Sequence, residues 1–118
     1  MPQNSRIEEL RRRVLADPAS IVFAQLAEEQ RRAGQYLDAV EVCRAGLERY
    51  PGYLSARVTL GRALIELGEL DAARQELERV LQIAPDNLAA IRGLAEIHQR
   101  RRDDVAGPTE YYGNCLLY

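Results

Sequence analysis

The chain has 118 residues and an apolar share of 47%, which is enough for one domain with a modest core. Its formal net charge of −2 gives no overall attraction for nucleic acid or for an acidic membrane surface, so we expect neither as a partner. All sixteen basic residues are arginine, and the absence of lysine excludes a P-loop lysine and a Schiff-base lysine.

Apolar residues at helical spacing, separated by short breaks, predict six helices and no strands. Ser5 with Glu8 three residues later has the pattern of a capping box and would begin the first helix. Asp17 ends that helix, because the residue before a proline avoids the helical region. Gly34 ends the second by allowing the chain to turn through positive φ. The predicted helices are residues 5–16, 19–33, 36–49, 53–67, 70–83 and 88–101.

Several columns of residues recur along the chain at an interval of 34 positions. The columns are Leu26, Leu60 and Leu94; Ala27, Gly61 and Ala95; Gly34 and Gly68; Ala39 and Ala73; Leu47 and Leu81; and Pro51 and Pro85. A fixed period in this range is typical of stacked supersecondary units. The small residues would allow neighbouring helix axes to approach closely, since larger side chains there would overpack the contact.

This pattern resembles the tetratricopeptide repeat family, whose unit is a helix–turn–helix of 34 residues. Phe23, Leu26 and Ala27 supply the bulky, leucine and small positions of the family pattern in the first unit. In the second unit Arg57 stands at the bulky position, so that feature is lost. The resemblance implies an all-α fold, a right-handed superhelical stack of antiparallel helix pairs with about two full repeats plus flanking helices.

The same register divides the chain into a helical repeat domain and a tail. We expect the domain over residues 1–107, made of a capping helix (5–16), two repeats (20–53 and 54–87) and the first half of a third repeat (88–107). Residues 108–118 are expected to form a degenerate tail or a short capping helix.

The resemblance further implies that the first helix of each unit lines a concave groove that binds a peptide or a partner helix. The groove residues it assigns are Ile21, Ala24, Glu28, Arg31, Arg32, Ser55, Val58, Arg62, Ile65, Glu66, Ala89, Arg92, Glu96, Gln99 and Arg100. Some family members hold the C-terminal carboxylate of heat-shock chaperones with lysine and asparagine. At those positions this chain carries Ala24, Glu28, Thr59, Ala89 and Gly93, so we expect it not to bind that ligand.

No set of residues in the sequence has the pattern of a catalytic or metal site. The two cysteines, Cys43 and Cys115, have no metal-ligand spacing. The only histidine, His98, falls on the inner stripe of the sixth helix and is expected to be packed or half-buried there. The arginine runs 11–13 and 100–102 are flanked by acids and indicate solvated helix faces. We therefore expect no enzymatic activity, no cofactor and no metal.

Three functional hypotheses follow from the sequence. The leading one is a non-enzymatic protein–protein interaction module whose partner the sequence does not identify. The second is a self-associating module, a weak homodimer formed through an incompletely capped C-terminal end where Ile91, Leu94 and Ile97 are exposed unless the tail covers them. An enzyme is the remote third. No stretch approaches the roughly 20 apolar residues of a membrane span, and we expect a cytoplasmic protein.

Overall fold

The structure, a computed structural model, describes residues 2–106. Within them it contains six helices and no strand, as the sequence predicts. The helices are α1 (Pro2–Ala16), α2 (Phe23–Arg32), α3 (Tyr36–Arg49), α4 (Leu54–Glu66), α5 (Leu70–Ile83) and α6 (Leu88–Ala106). The residues assigned to the tail, 108–118, lie outside the described part of the chain.

Helix α1 begins before the residue that the capping-box pattern marks. It starts at Pro2, so Ser5 lies inside the helix and is not its N-cap, contrary to the prediction. Proline is tolerated in a first helical turn, where its missing N–H would have no intrahelical partner.

Helix α2 begins at Phe23, four residues later than predicted. The preceding segment is held as a turn by its own side chains. The Asp17 carboxylate accepts a hydrogen bond from the Ala19 N–H at 3.2 Å, and the Ser20 hydroxyl accepts one from the Val22 N–H at 3.1 Å. Such side-chain bonds compete with helix formation.

Two glycines end α2 and α4 in the same way. Gly34 and Gly68 both have φ of +82°. After α2, the Gln35 N–H donates to the Gln30 carbonyl at 2.8 Å and the Gly34 N–H donates to the Arg31 carbonyl at 3.0 Å. This is the Schellman pattern, which satisfies the last carbonyls of a helix. At the corresponding position Arg102 replaces the glycine, and α6 continues to Ala106.

The six helices form two layers. In the inner layer α4 packs on both α2 and α6, whereas in the outer layer α1, α3 and α5 pack only on inner helices and not on one another. The inner helix axes are therefore closer together than the outer ones.

The small residues of the repeat lie at contacts between helices in the two full units, whereas Ala95 on α6 is exposed, contrary to the prediction. Ala27, Ala39 and Ala73 are fully buried. A Cβ added at Gly61 or at Gly93 would lie 2.6 Å from a methyl carbon of Leu77. The Leu77 side chain, itself fully buried, therefore occupies a socket formed by two glycines on different helices, α4 and α6.

The bulky position of the repeat is filled differently in its two copies. Phe23 packs between Tyr50 and Tyr53, with ring centroids 6.2 and 5.6 Å away. Arg57 is also buried, and its guanidinium donates to the Glu76 carboxylate at 2.6 Å and to the Pro51 carbonyl at 2.5 Å. An ion pair thus replaces an aromatic cluster at the same place in the stack.

Helix α6 is buried on a different face from the predicted one. Ala90, Gly93 and Ile97 are buried, so the expected exposure of Ile97 is wrong. His98 is exposed, which also contradicts its predicted packing. The residues at the same repeat position, Gln30 in α2 and Leu64 in α4, are buried because an outer helix follows each of these helices. No described helix follows α6 to cover the same face.

Candidate functional site

A concave pocket lies on the inner layer, mainly between α2 and α4. Its volume is about 460 Å³, and α1 and the beginning of α6 contribute to its ends. The lining residues are Arg6, Ala24, Gln25, Glu28, Glu29, Arg32, Tyr53, Ser55, Val58, Thr59, Arg62, Asn87 and Ala89. A volume of this size is within the range of ligand pockets.

The pocket brings together part of the predicted groove. The assigned residues found in its lining are Ala24, Glu28, Arg32, Ser55, Val58, Arg62 and Ala89. The assigned residues outside it are Ile21, Arg31, Ile65, Glu66, Arg92, Glu96, Gln99 and Arg100. Their roles in binding remain predictions.

Several residues outside the pocket have structural contacts of their own. Ile65 is buried in the core. Arg100 reaches back to the preceding unit, where its guanidinium donates to the Ile65 carbonyl at 3.3 Å and to the Glu66 carboxylate at 3.2 Å. It also binds Glu96 on its own helix at 2.7 Å. Arg100 therefore holds α6 against α4.

The groove assignment missed six residues that line the pocket. They are Arg6, Gln25, Glu29, Tyr53, Thr59 and Asn87. Arg6 could not be inferred from the repeat register, because it belongs to α1 and reaches the pocket only through the way α1 crosses α2. Thr59 did have a signal in the sequence, because it stands at one of the positions with which some family members hold a carboxylate.

Glu28 is the most heavily hydrogen-bonded side chain in the pocket. Its carboxylate accepts two bonds from Arg31 at 3.0 and 2.7 Å, one from Arg32 at 3.1 Å and one from the Thr59 hydroxyl at 3.1 Å. Partial burial by itself would raise the pKa of this carboxyl. The hydrogen bonds and the charge of Arg31 outweigh burial and lower the pKa to about 2. Glu28 thus ties α2 to α4 as a carboxylate.

Glu28→Gln is expected to remove a pH-dependent part of the stability. The folded-state pKa of Glu28, about 2, is below its ordinary value of 4.5, so the carboxylate stabilises the fold above about pH 4.5 and loses this effect as the pH falls toward 2. We expect the variant to be less stable by about 1–2 kcal/mol at neutral pH, a value reduced for the 31% exposure of the side chain. Urea unfolding over this pH range measures the difference.

The matched control is Glu48→Gln, which removes an exposed carboxylate on α3. Its unfolding free energy should follow that of the unchanged chain at every pH. If Glu28→Gln also gave a curve parallel to the unchanged chain, the stabilising role of Glu28 would be refuted.

Among residues 5–103, the charges around the pocket leave one lining cation without a partner. Arg6 lies 3.6 Å from the Glu29 carboxylate, and Arg32 is bound to Glu28. Arg62 is exposed and forms no ion pair within residues 5–103. Its guanidinium therefore keeps its hydrogen-bond donors for a ligand, and a carboxylate matches their geometry bidentately.

The described residues contain no cluster suited to metal binding. No group of three potential metal ligands occurs among them. The Cys43 thiol is buried and donates to the Ala56 carbonyl at 3.4 Å. Burial, with smaller effects from Glu28 and Glu76, raises the pKa of Cys43 to about 12, so it does not supply a thiolate nucleophile. None of the helices in this part of the chain has the length and apolar character of a membrane span.

Comparison with known proteins identifies the family. The model of the tetratricopeptide repeat matches residues 30–97, and the chain belongs to this family. It is 36% identical over 88 residues to the human FK506-binding protein-like, a match that covers 75% of this chain and 25% of that protein. It is 33% identical over 73 residues to the Arabidopsis thaliana protein CTR9 homolog, covering 61% of this chain and 7% of that one. The chain thus spans a quarter or less of the length of these curated relatives.

A solved structure has the same architecture. The second TPR domain of human RPAP3, in complex with the HSP70 peptide SGPTIEEVD, matches with a TM-score of 0.76 and 29% identity over 81% of both chains. This similarity confirms the predicted stack of antiparallel helix pairs.

Proposed function

We propose that this chain is a non-enzymatic protein-binding module that holds a peptide or a partner helix in the concave pocket. The observation that carries the proposal is the pocket itself, which places the apolar side chains of Val58 and Ala89 beside Arg62, a cation with no ion pair within residues 5–103. Three arginines and two glutamates line it, so it favours a ligand with a carboxylate near apolar side chains. The peptide complex of the RPAP3 domain supports this reading.

The pocket differs from what a chaperone tail would need, and our expectation that the chain does not bind such a tail is retained. At positions where family members hold that tail with lysine or asparagine, Ala24 and Ala89 supply no hydrogen-bonding side chain, and the Glu28 carboxylate supplies no hydrogen-bond donor. The peptide SGPTIEEVD is the direct probe. Saturable binding of this peptide that is lost in Arg62→Glu would refute the expectation.

Arg62→Glu is expected to weaken ligand binding at least about 10-fold, equivalent to about 1.4 kcal/mol, because it replaces the free cation with an anion in the pocket. Arg62 is exposed, so the substitution should leave the fold intact. Partners captured from a lysate by the unchanged chain and by the variant are compared by mass spectrometry. The affinity for each selectively captured partner is then measured with purified protein.

Arg44→Glu on α3 is the matched control, since it makes the same charge change at an exposed position outside the pocket. The proposal requires partners that are retained by Arg44→Glu and lost by Arg62→Glu. Equal retention by both variants contradicts it.

The proposal also covers enzymatic activity and cellular location. The absence of enzymatic activity is part of it, because the pocket lining contains no nucleophile paired with a base. We also place the chain in the cytoplasm, where the free thiol of Cys43 would remain reduced.

A second candidate function is self-association through α6. Ile91 is exposed and Leu94 is half-buried on the face of α6 that no described helix covers. If two copies join there, Leu94→Glu will abolish a concentration-dependent dimer seen by light scattering. Leu37→Glu, at an exposed position on α3, should leave the dimer intact. A monomer at all concentrations excludes this candidate.

A further inference from the structure

A second groove lies on the outer layer, between α1 and α3. These two helices both pack on α2 but not on each other, so their separation leaves a channel above α2. Its volume is about 380 Å³, and it shares no lining residue with the concave pocket. The two surfaces can therefore be occupied independently.

The floor of this outer groove is apolar. Phe23 lies at its base, with half-buried Val14 on one side and half-buried Val42 on the other. Gly46 adds no side chain to the floor. The Phe23 ring occupies the space that a Cβ at this position would need. Ala45 is exposed and adds only a methyl group, so apolar surface remains accessible to a partner side chain.

The equivalent positions one unit later are occupied by large or charged groups. At an interval of 34 residues, Phe23 and Val42 correspond to Arg57 and Glu76, which form the buried ion pair. Ala45 corresponds to Arg79. An open apolar floor is thus a property of the first unit and not a general consequence of stacking.

Two carboxylates mark the rim of the outer groove. Glu41 and Glu48 lie seven residues apart on α3, which places them two turns and about 10 Å from each other on one face. Both are exposed, and neither forms an ion pair within residues 5–103. Arg49 is the one cation in the lining, so the groove carries a net negative charge.

We propose that the outer groove binds an amphipathic helix of a partner protein. The helix would insert a leucine or an aromatic side chain between Val14 and Val42 and place two arginines, seven residues apart, against Glu41 and Glu48. The negative charge of the outer groove favours a helix with basic and apolar side chains, whereas the lining of the concave pocket carries a net positive charge. One chain would then connect two partners of different chemistry.

The test uses the full chain and a fluorescein-labelled helical peptide with leucines at helical spacing and arginines at positions i and i+7. A matched peptide carries glutamate in place of both arginines. We expect at least about 10-fold tighter binding of the arginine peptide, measured by fluorescence polarisation. Amide chemical-shift changes should centre on Val14, Val42 and Ala45.

Ala45→Arg should reduce binding of the arginine peptide at least about 10-fold. The new arginine, which matches Arg79 on α5, would cover the apolar floor and repel the arginines of the peptide. Ala45 is exposed, so this variant should keep its circular dichroism and urea midpoint. The double variant Glu41→Gln, Glu48→Gln should remove the discrimination between the two peptides.

Arg62→Glu should leave binding of the arginine peptide unchanged, which separates this proposal from the function of the concave pocket. The proposal is overturned by an absence of saturable binding, by shift changes confined to α2 and α4 near Arg62, or by Ala45→Arg binding the peptide as tightly as the unchanged chain.

Discussion

Leu77→Ala is expected to destabilise the fold by about 2–5 kcal/mol, one of the two largest effects that we predict for a single substitution. Leu77 fills the socket between Gly61 and Gly93, and those glycines have no side chains that could move into the vacated space. The cavity should therefore remain empty. It would weaken the packing of α5 against both α4 and α6. The free energy of unfolding from urea titration measures the loss.

Leu37→Ala is the control for that measurement, because it makes the same chemical change at a position that is 69% exposed. It should alter the stability by no more than about 0.5 kcal/mol. If Leu77→Ala unfolds at the urea concentration of this control, then the socket does not contribute as its geometry indicates.

Arg57→Ala is expected to cost about 3 kcal/mol, since it leaves the Glu76 carboxylate without its cation in a largely buried place. The Arg57 and Glu76 side chains are only 11% and 21% exposed. The loss also frees the Pro51 carbonyl from its hydrogen bond, which loosens the turn before α4. Urea unfolding again gives the change.

The double variant Arg57→Met, Glu76→Val should recover much of that loss, because an apolar pair of similar volume avoids the unpaired charge. Arg74→Ala, which breaks an exposed pair with Glu78, should cost at most about 1 kcal/mol. A similar cost for Arg57→Ala and Arg74→Ala would show that burial adds nothing to the Arg57 pair.

Much of the fold could be predicted because its signals are local. Helices α3 and α5 begin and end at the predicted residues, since Gly34 and Gly68 precede them and Pro51 and Pro85 follow. The repeat columns likewise predicted the burial of Ala27, Ala39 and Ala73, but Ala95, in the column of Ala27 and Gly61, is exposed. The division of the chain into repeats and tail remains a prediction.

The parts that could not be predicted depend on contacts between distant segments. The column of His98 is buried in α2 and α4, and only the absence of a following helix within the described chain leaves it exposed in α6. Gly93 gave no sequence signal of its own, because its role follows from the position of Leu77 on another helix.

The candidate site could be predicted only in part. Counting along the register found the inward positions of α2 and α4, such as Glu28 and Arg62. It could not show that Glu28 spends its hydrogen-bonding capacity on Arg31, Arg32 and Thr59, whereas Arg62 keeps its own. That difference arises from side-chain geometry, which a repeat register does not contain.

The pairing of Arg57 with Glu76 also affects the response of the two units to heat. The hydration of charged groups becomes less favourable on warming, so withdrawing this pair from water becomes less costly as the temperature rises. The aromatic cluster around Phe23 gains no comparable advantage, because the stabilisation from apolar burial levels off. On heating, the balance of stability should therefore shift toward the second unit.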